Sequence, residues 1–204
     1  MKKVIIVFLV SILFFKNSLA QANQAELKIK KTHFGFSLGG NYSLLKSSNS
    51  LPDYLKLENT AGFSLGIVGY FELSKRTWLG LKSNLTFNNN RLVNSLDKNV
   101  NSTPIFNTNI EVMAHITFKT TDKKLNHYIF MGPNIKLPLK IESNNPFNKN
   151  SIGIDLGIGL EKKLPYLNVM PEIRLTSGFT DIGNNSVNFP VYFNNLSLVF
   201  TLID

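Results

Sequence analysis

The sequence predicts an all-β protein: an eight-stranded, antiparallel, up-and-down transmembrane β-barrel preceded by a cleaved signal peptide. Three observations predict it. Large apolar residues alternate with small or polar ones along most of the chain, most clearly at residues 151–163. The chain begins with an export signal. The connections between the alternating segments are by turns short and long, as they are in outer-membrane barrels.

The first 20 residues have the three parts of a secretory signal peptide. Lys2 and Lys3 form a basic start, residues 4–15 are uncharged and almost entirely apolar, and small residues precede a cleavage site after Ala20. The apolar run is shorter than the about 20 residues of a transmembrane helix, so an uncleaved anchor is the weaker alternative. The expected organisation is a signal peptide at residues 1–20, a periplasmic N-terminal segment at 21–31 and the barrel domain at 32–204.

The composition fits an exported barrel. The chain contains no cysteine, which excludes disulfides, a thiol site and a lipoprotein anchor. The formal charge of +9 falls to +6 when Lys2, Lys3 and Lys16 leave with the signal peptide. The remaining basic residues are scattered, without a basic stripe that interleaves with aromatics. We therefore expect charges in the lumen and at the rims, and no nucleic-acid partner.

Eight strands are predicted from period-two alternation, which places every second side chain on one face. Their boundaries are, in order, residues 32–46, 60–73, 77–88, 105–120, 126–141, 151–163, 168–180 and 194–203. Their apolar faces are, in the same order, the alternate residues within 34–44, 63–73, 79–87, 110–118, 129–141, 152–160, 169–179 and 196–202. Pro133, Pro138 and Pro171 fall inside these strands. Because proline cannot donate to the ladder, bulges or register breaks are expected there.

The connections predict which end of the barrel is which. Those at residues 74–76, 121–125 and 164–166 are short, whereas those at 47–59, 89–104, 142–150 and 181–193 are long and rich in Asn, Ser, Asp and Pro. Outer-membrane barrels have short periplasmic turns, longer external loops and an even number of strands. Both ends of the barrel domain are therefore expected on the periplasmic side.

The polar face predicts the lumen. In a soluble ligand-binding barrel the apolar face would line the cavity instead. Here the polar face is rich in glycine, which suits the narrow interior of an eight-stranded barrel. It also carries charges of both signs that can pair there: Glu72, Glu111, Asp155, Glu161 and Glu172 with Lys82, Lys119, Lys136, Lys140 and Arg174. We therefore expect the apolar face to meet lipid.

Candidate chemistry is limited to one histidine. His115 falls on the lumen face, with Glu111 four residues earlier on the same strand. A histidine beside a carboxylate is compatible with a hydrolase triad, but a polar network that plugs the lumen is the favoured interpretation. No catalytic, cofactor-binding or metal-binding residues are predicted, and no cofactor. The Gly157-Ile158-Gly159 spacing has no following helix and so does not indicate a phosphate site.

Two aromatic residues stand near predicted strand starts. Trp78 and Tyr128 occupy positions where aromatic girdles meet the membrane interface. For Trp78, packing within the barrel is an equal alternative.

Three segments resemble a known family. They are residues 53–59 leading into 62–68, residues 164–167 followed by 170–175 and a turn near Gly178, and the closing residues 196–200. Their order and spacing resemble the PorT-like outer-membrane barrels of Bacteroidota, over nearly all of residues 34–203. The resemblance implies an outer-membrane barrel that is needed for type IX secretion and, in gliding bacteria, for motility. It implies no catalytic residues.

Two classes of function follow. The first is a non-enzymatic component of a secretion apparatus, whose partners are outer-membrane lipid and other secretion components. The second is a barrel enzyme acting on lipid, or a small-solute porin. A lumen filled with paired charges argues against conduction, because aqueous channels are built from about 16–18 strands.

Overall fold

The computed structural model describes residues 32–48, 51–94, 102–120, 125–139, 145–184 and 189–204. The predicted signal peptide and the periplasmic N-terminal segment lie outside the described residues. No helix in the described part of the chain is long and apolar enough to cross a membrane.

Eight long antiparallel strands close into one barrel, and three short strands form a separate small sheet. The strands are β1 Thr32–Ser47, β2 Leu55–Glu58, β3 Ala61–Glu72, β4 Thr77–Phe87, β5 Arg91–Asn94, β6 Ser102–Pro104, β7 Thr108–Lys119, β8 Leu125–Pro138, β9 Ser151–Lys163, β10 Asn168–Gly178 and β11 Val191–Ile203. The barrel order is β1-β11-β10-β9-β8-β7-β4-β3, and β3 pairs with β1 to close the ring. The small sheet has the order β2-β5-β6. The predicted fold class is confirmed.

The barrel has two unlike ends. The turn end carries the short connections after β3 and β9, together with the start of β1 and the end of β11. The loop end carries the long connections and, within two of them, the small β2-β5-β6 sheet. The sequence predicts these connections as loops and misses the small sheet, because its strands are only three or four residues long.

The strand boundaries agree with the prediction to within one residue except near the loop end. The β9 bounds match, and β1 extends one residue beyond the prediction. β7 begins at Thr108 rather than at residue 105, and β11 begins at Val191 rather than at 194. Phe106 explains the first difference: its φ of 50° lies in the left-handed region, so the extended chain cannot continue through it.

The apolar face is on the outside of the barrel. Phe36, Ile67 and Ile158 are 71%, 61% and 60% exposed, whereas Glu111 and Asp155 are buried in the lumen. A band of large apolar side chains around a whole barrel would be unstable in water and is stable in lipid. The predicted orientation of the two faces is confirmed.

The prolines interrupt the ladders without changing their register. In the β7–β8 ladder, the next pair after Met113↔Asn134 is Ile116↔Met131, so pairing stops only around Pro133. In the β9–β10 ladder, the next pair after Val169↔Lys162 is Glu172↔Gly159, so pairing stops only around Pro171. The register is the same on both sides of each gap, with no extra residue on either strand. The prediction of bulges or register breaks at these prolines is therefore wrong. Pro138 is the last residue of β8, where the ladder ends.

Candidate functional site: a filled lumen

A layer of paired charges fills the middle of the lumen. Lys82 on β4 donates to both carboxylate oxygens of Glu172 on β10, each at 2.8 Å. His115 Nε2 on β7 donates to Asp155 Oδ2 on β9 at 2.9 Å. All four side chains are buried. Because charges this far from water need close partners, these contacts hold β4, β7, β9 and β10 in one arrangement.

Arg174 joins this layer to a third carboxylate, that of Glu111. Its Nη2 atom lies 3.5 Å from Glu111 Oε2, and its Nε atom lies 3.9 Å from Asp155 Oδ2. Lys136 on β8 forms an ion pair with the other oxygen of Glu111. Asn134 Nδ2 donates to both oxygens of Asp155 at 3.0 Å. Each carboxylate in this group therefore has two or more polar partners.

A further ion pair lies closer to the turn end. Lys119 Nζ is 2.9 Å from Glu161 Oε2, and Asn126 Nδ2 donates to the same oxygen at 2.9 Å. Among the described residues, the buried lumen charges balance with His115 neutral: Lys82, Lys119, Lys136 and Arg174 against Glu111, Asp155, Glu161 and Glu172. The layer therefore has no net charge that would attract one kind of ion.

An inner lid closes the lumen at the turn end. We give this name to the buried cluster Val68, Tyr70, Trp78, Tyr128, Phe130, Met170 and Ile203. All seven residues lie on barrel strands. Glycines of adjacent strands make room for the rings: a Cβ on Gly157 would lie 2.2 Å from Phe130, and one on Gly159 would lie 2.3 Å from Tyr128. The rings therefore occupy the space that a side chain at either glycine would need.

An outer lid closes the lumen at the loop end. We give this name to the buried cluster Leu45, Ile105, Phe106, Phe147, Ile182, Val191 and Phe193. Four of its members lie in connections rather than in barrel strands. Leu57 and Leu92 of the small sheet pack against it, so the β2-β5-β6 sheet and the long connections form one cap.

Buried side chains occupy the lumen between the outer lid and the inner lid. A lumen filled by side chains is the expected state of an eight-stranded barrel, and here two apolar lids separate its charges from water. The described residues contain no group of three or more His, Asp or Glu placed to hold a metal ion.

The structure brings most of the predicted lumen charges together. The described ones pair as expected, and Glu72 lies at the turn-end rim, where His33 Nε2 donates to it at 3.1 Å. Lys140 lies outside the described residues. His115 faces the lumen as predicted, but its partner is Asp155 of β9 rather than Glu111 of its own strand. A single sequence gives no signal for that pairing between the two strands that flank β8.

The girdle interpretation of Trp78 and Tyr128 is wrong. Trp78 is 3% exposed and Tyr128 is 2% exposed, and both belong to the inner lid. The alternation itself carried this signal, since Leu81 on the strand of Trp78 and Ile129 next to Tyr128 face outward. Packing within the barrel, the alternative interpretation for Trp78, is correct.

Comparison with known proteins identifies the fold. No protein-family model matches the chain, and no curated protein matches it. Among solved structures, Neisserial surface protein A is 14% identical with a TM-score of 0.52, over 83% of this chain and 95% of that one. The chain has the fold of an outer-membrane β-barrel. The outer membrane protein OprG of Pseudomonas aeruginosa (11% identity, TM-score 0.49, 85% and 94% covered) and Ail of Yersinia pestis (12%, 0.46, 85% and 99%) also match.

Proposed function

We propose that this chain is a non-enzymatic outer-membrane component of a protein-secretion apparatus of the type IX kind. The observation that carries the non-conducting, non-enzymatic part is the lumen, which is filled by balanced ion pairs between two apolar lids. The secretion role is supported by the resemblance of residues 53–68 and 164–175 to PorT-like barrels. In this proposal the barrel anchors the protein in the membrane, and its exposed ends contact partners.

The geometry of His115 favours this proposal over a lipid hydrolase. A triad needs the base to bond both its orienting carboxylate and the nucleophile. His115 Nε2 bonds Asp155, whereas Nδ1 has no hydrogen-bond partner among the described residues. Both residues are fully buried in the lumen, so a lipid in the surrounding membrane would not reach them.

The cap at the loop end is the part of the barrel that we expect to touch other components. Residues 53–59, which carry part of the resemblance, contain an exposed turn at Asp53 and Tyr54 and then the short strand β2. The same segment also supports the cap, because Leu57 packs on the outer lid and Asn59 Oδ1 accepts from Leu45 N at 2.8 Å. A test of contact must therefore change the exposed tip and leave β2 intact.

The decisive experiment is deletion of the gene in its native host. We expect cargo proteins of the type IX pathway to accumulate in the periplasm, while general outer-membrane permeability to small solutes stays unchanged. Purified barrel in planar bilayers should show no stable conductance. Normal secretion in the deletion strain would overturn the secretion role, and single-channel currents would overturn the closed lumen.

A pair of variants tests the contact surface. Asp53→Ala/Tyr54→Ala should reduce cargo secretion while the barrel keeps its heat-modifiable mobility on gels. Lys149→Ala, which changes an exposed residue in another loop-end connection, is the matched control and should secrete normally. Equal secretion by both variants would place the contact elsewhere on the protein.

A further inference from the structure

A groove of about 500 Å³ lies on the outside of the barrel near the turn end. It crosses four neighbouring strands, β8 to β11. Its walls are outward-facing apolar residues: Ile129, Ile158, Leu160, Pro171, Ile173 and Leu198. A volume of this size lies in the range of pockets that hold single small molecules.

The groove lies beside a gap in the strand pairing. Pro171 lines it, and the β9–β10 ladder is unpaired between the Val169↔Lys162 and Glu172↔Gly159 pairs. Gly159 and Glu172, which belong to the lumen face, also contribute to its lining. The ladder gap and the short proline side chain thus make a depression among the large residues around it.

The edge of the groove at the turn end is polar and cationic. His127 and Thr120 line it and are both exposed. Lys162 is exposed on the outward face of β9, two residues beyond Leu160 and therefore about 7 Å along the strand. Lys163 follows on the opposite face of β9 and is exposed at the end of the strand. An apolar groove thus ends at a positively charged rim.

We propose that this groove is a specific site for an anionic glycerophospholipid of the periplasm-facing leaflet. One acyl chain lies against Ile158, Leu160 and Ile173, and the phosphate lies at the rim beside Lys162 and His127. Two observations select this occupant. The groove opens on the apolar band of the wall, which lipid surrounds, and its cationic rim is at the turn end, where the periplasmic headgroups lie in barrels of this kind. Lysines at the headgroup level attract anionic lipids.

The site is tested by native mass spectrometry of the refolded barrel in neutral detergent, titrated with phosphatidylglycerol or phosphatidylcholine. We expect one phosphatidylglycerol to be retained, about tenfold more tightly than phosphatidylcholine. Lys162→Gln/Lys163→Gln should remove that preference. Ile158→Trp, which fills the groove, should weaken retention of both lipids.

Matched variants on the opposite wall separate a specific site from general lipid contact. Lys75→Gln/Arg76→Gln removes two exposed charges at the same end of the barrel, and Ile67→Trp enlarges an equally exposed residue of β3. Neither should change retention. If all variants bind both lipids alike, or if the control variants lose as much, the lipid contact is non-specific and the proposal is overturned. Preferential retention of lipid A would also overturn it. Heat-modifiable gel mobility shows that each variant is folded.

Discussion

The two lids of the lumen are made in different ways. Every member of the inner lid stands on a barrel strand, whereas Ile105, Phe106, Phe147 and Ile182 of the outer lid stand in connections. The ladders that close the barrel therefore hold the inner lid in place. The outer lid depends on how the long connections and the small sheet fold over the rim. Both lids bury large apolar side chains, but only the inner lid is built entirely from the strands of the wall.

This difference predicts that the outer lid can open on its own, whereas the inner lid opens only when the barrel unfolds. A residue held by a complete ladder moves only when the barrel unfolds, whereas a loop can open locally at a small cost in free energy. The inner lid is thus expected to behave as part of the barrel's cooperative core. The outer lid can open locally, as the proposed contact surface at the cap would require.

The largest loss is expected in the charged layer between the lids. Arg174→Leu removes a cation that contacts both Glu111 and Asp155, and it leaves the buried lumen with an excess negative charge. Removal of one partner from a buried ion network typically costs about 3–5 kcal/mol. Urea unfolding of the barrel in lipid vesicles measures this change in free energy.

Two further variants check that loss. Lys56→Leu, at an exposed position of β2, is the control and should leave the unfolding midpoint unchanged. In the background of Arg174→Leu, Glu111→Gln should restore part of the stability, because it removes a carboxylate that has lost a partner. An Arg174→Leu barrel as stable as the wild type would show that these charges are not coupled.

Truncation of one aromatic residue in each lid tests the comparison directly. Phe130→Ala opens a cavity in the inner lid, beside the His115 ring at 4.9 Å, and should cost about 3 kcal/mol or more. Phe106→Ala removes the partner of the Phe193 ring at 5.5 Å in the outer lid. Its effect on global unfolding should be smaller, about 1–2 kcal/mol, because the loop end can open without unfolding the barrel.

Hydrogen exchange gives that comparison a second measurement. Phe106→Ala should speed exchange of backbone amides near the loop end only. Phe130→Ala should lower the protection of backbone amides throughout the barrel. Equal losses of global stability in the two variants would mean that both lids belong to one cooperative unit.

The sequence predicts the barrel strands and their two faces well because the side chains of every strand follow the same period-two alternation. Period-two alternation in an apolar environment determines which face is outside, and it places even Trp78 and Tyr128 inside when it is followed strictly. Small residues next to aromatic ones, such as Gly157 and Phe130, are consistent with a filled lumen. The boundaries of β9 follow because the alternation begins and ends there with the strand.

Pairings across the lumen and the cap do not follow from that rule. His115 meets Asp155 because β7 and β9 flank β8 in the closed barrel, and alternation does not encode which lumen residues of these two strands meet. The outer lid combines residues from several connections whose apolar side chains have no period. Ile105 and Phe106 fall within the bounds predicted for this strand, yet they lie outside β7 because Phe106 turns the backbone.

The smallest expected effect concerns that turn. Phe106 has a φ of 50°, a conformation that costs an L-residue roughly 1–2 kcal/mol and glycine very little. Phe106→Ala and Phe106→Gly lose the same ring contact with Phe193. The glycine variant should nevertheless be the more stable of the two by about 1 kcal/mol, after the entropy that glycine gains in the unfolded chain is subtracted. Parallel urea titrations of the two proteins measure the difference. At Phe130, in extended backbone of β8, the same pair of substitutions should give the opposite order, with alanine the more stable. If alanine is the more stable residue at both positions, backbone strain at Phe106 does not help to shape the outer lid.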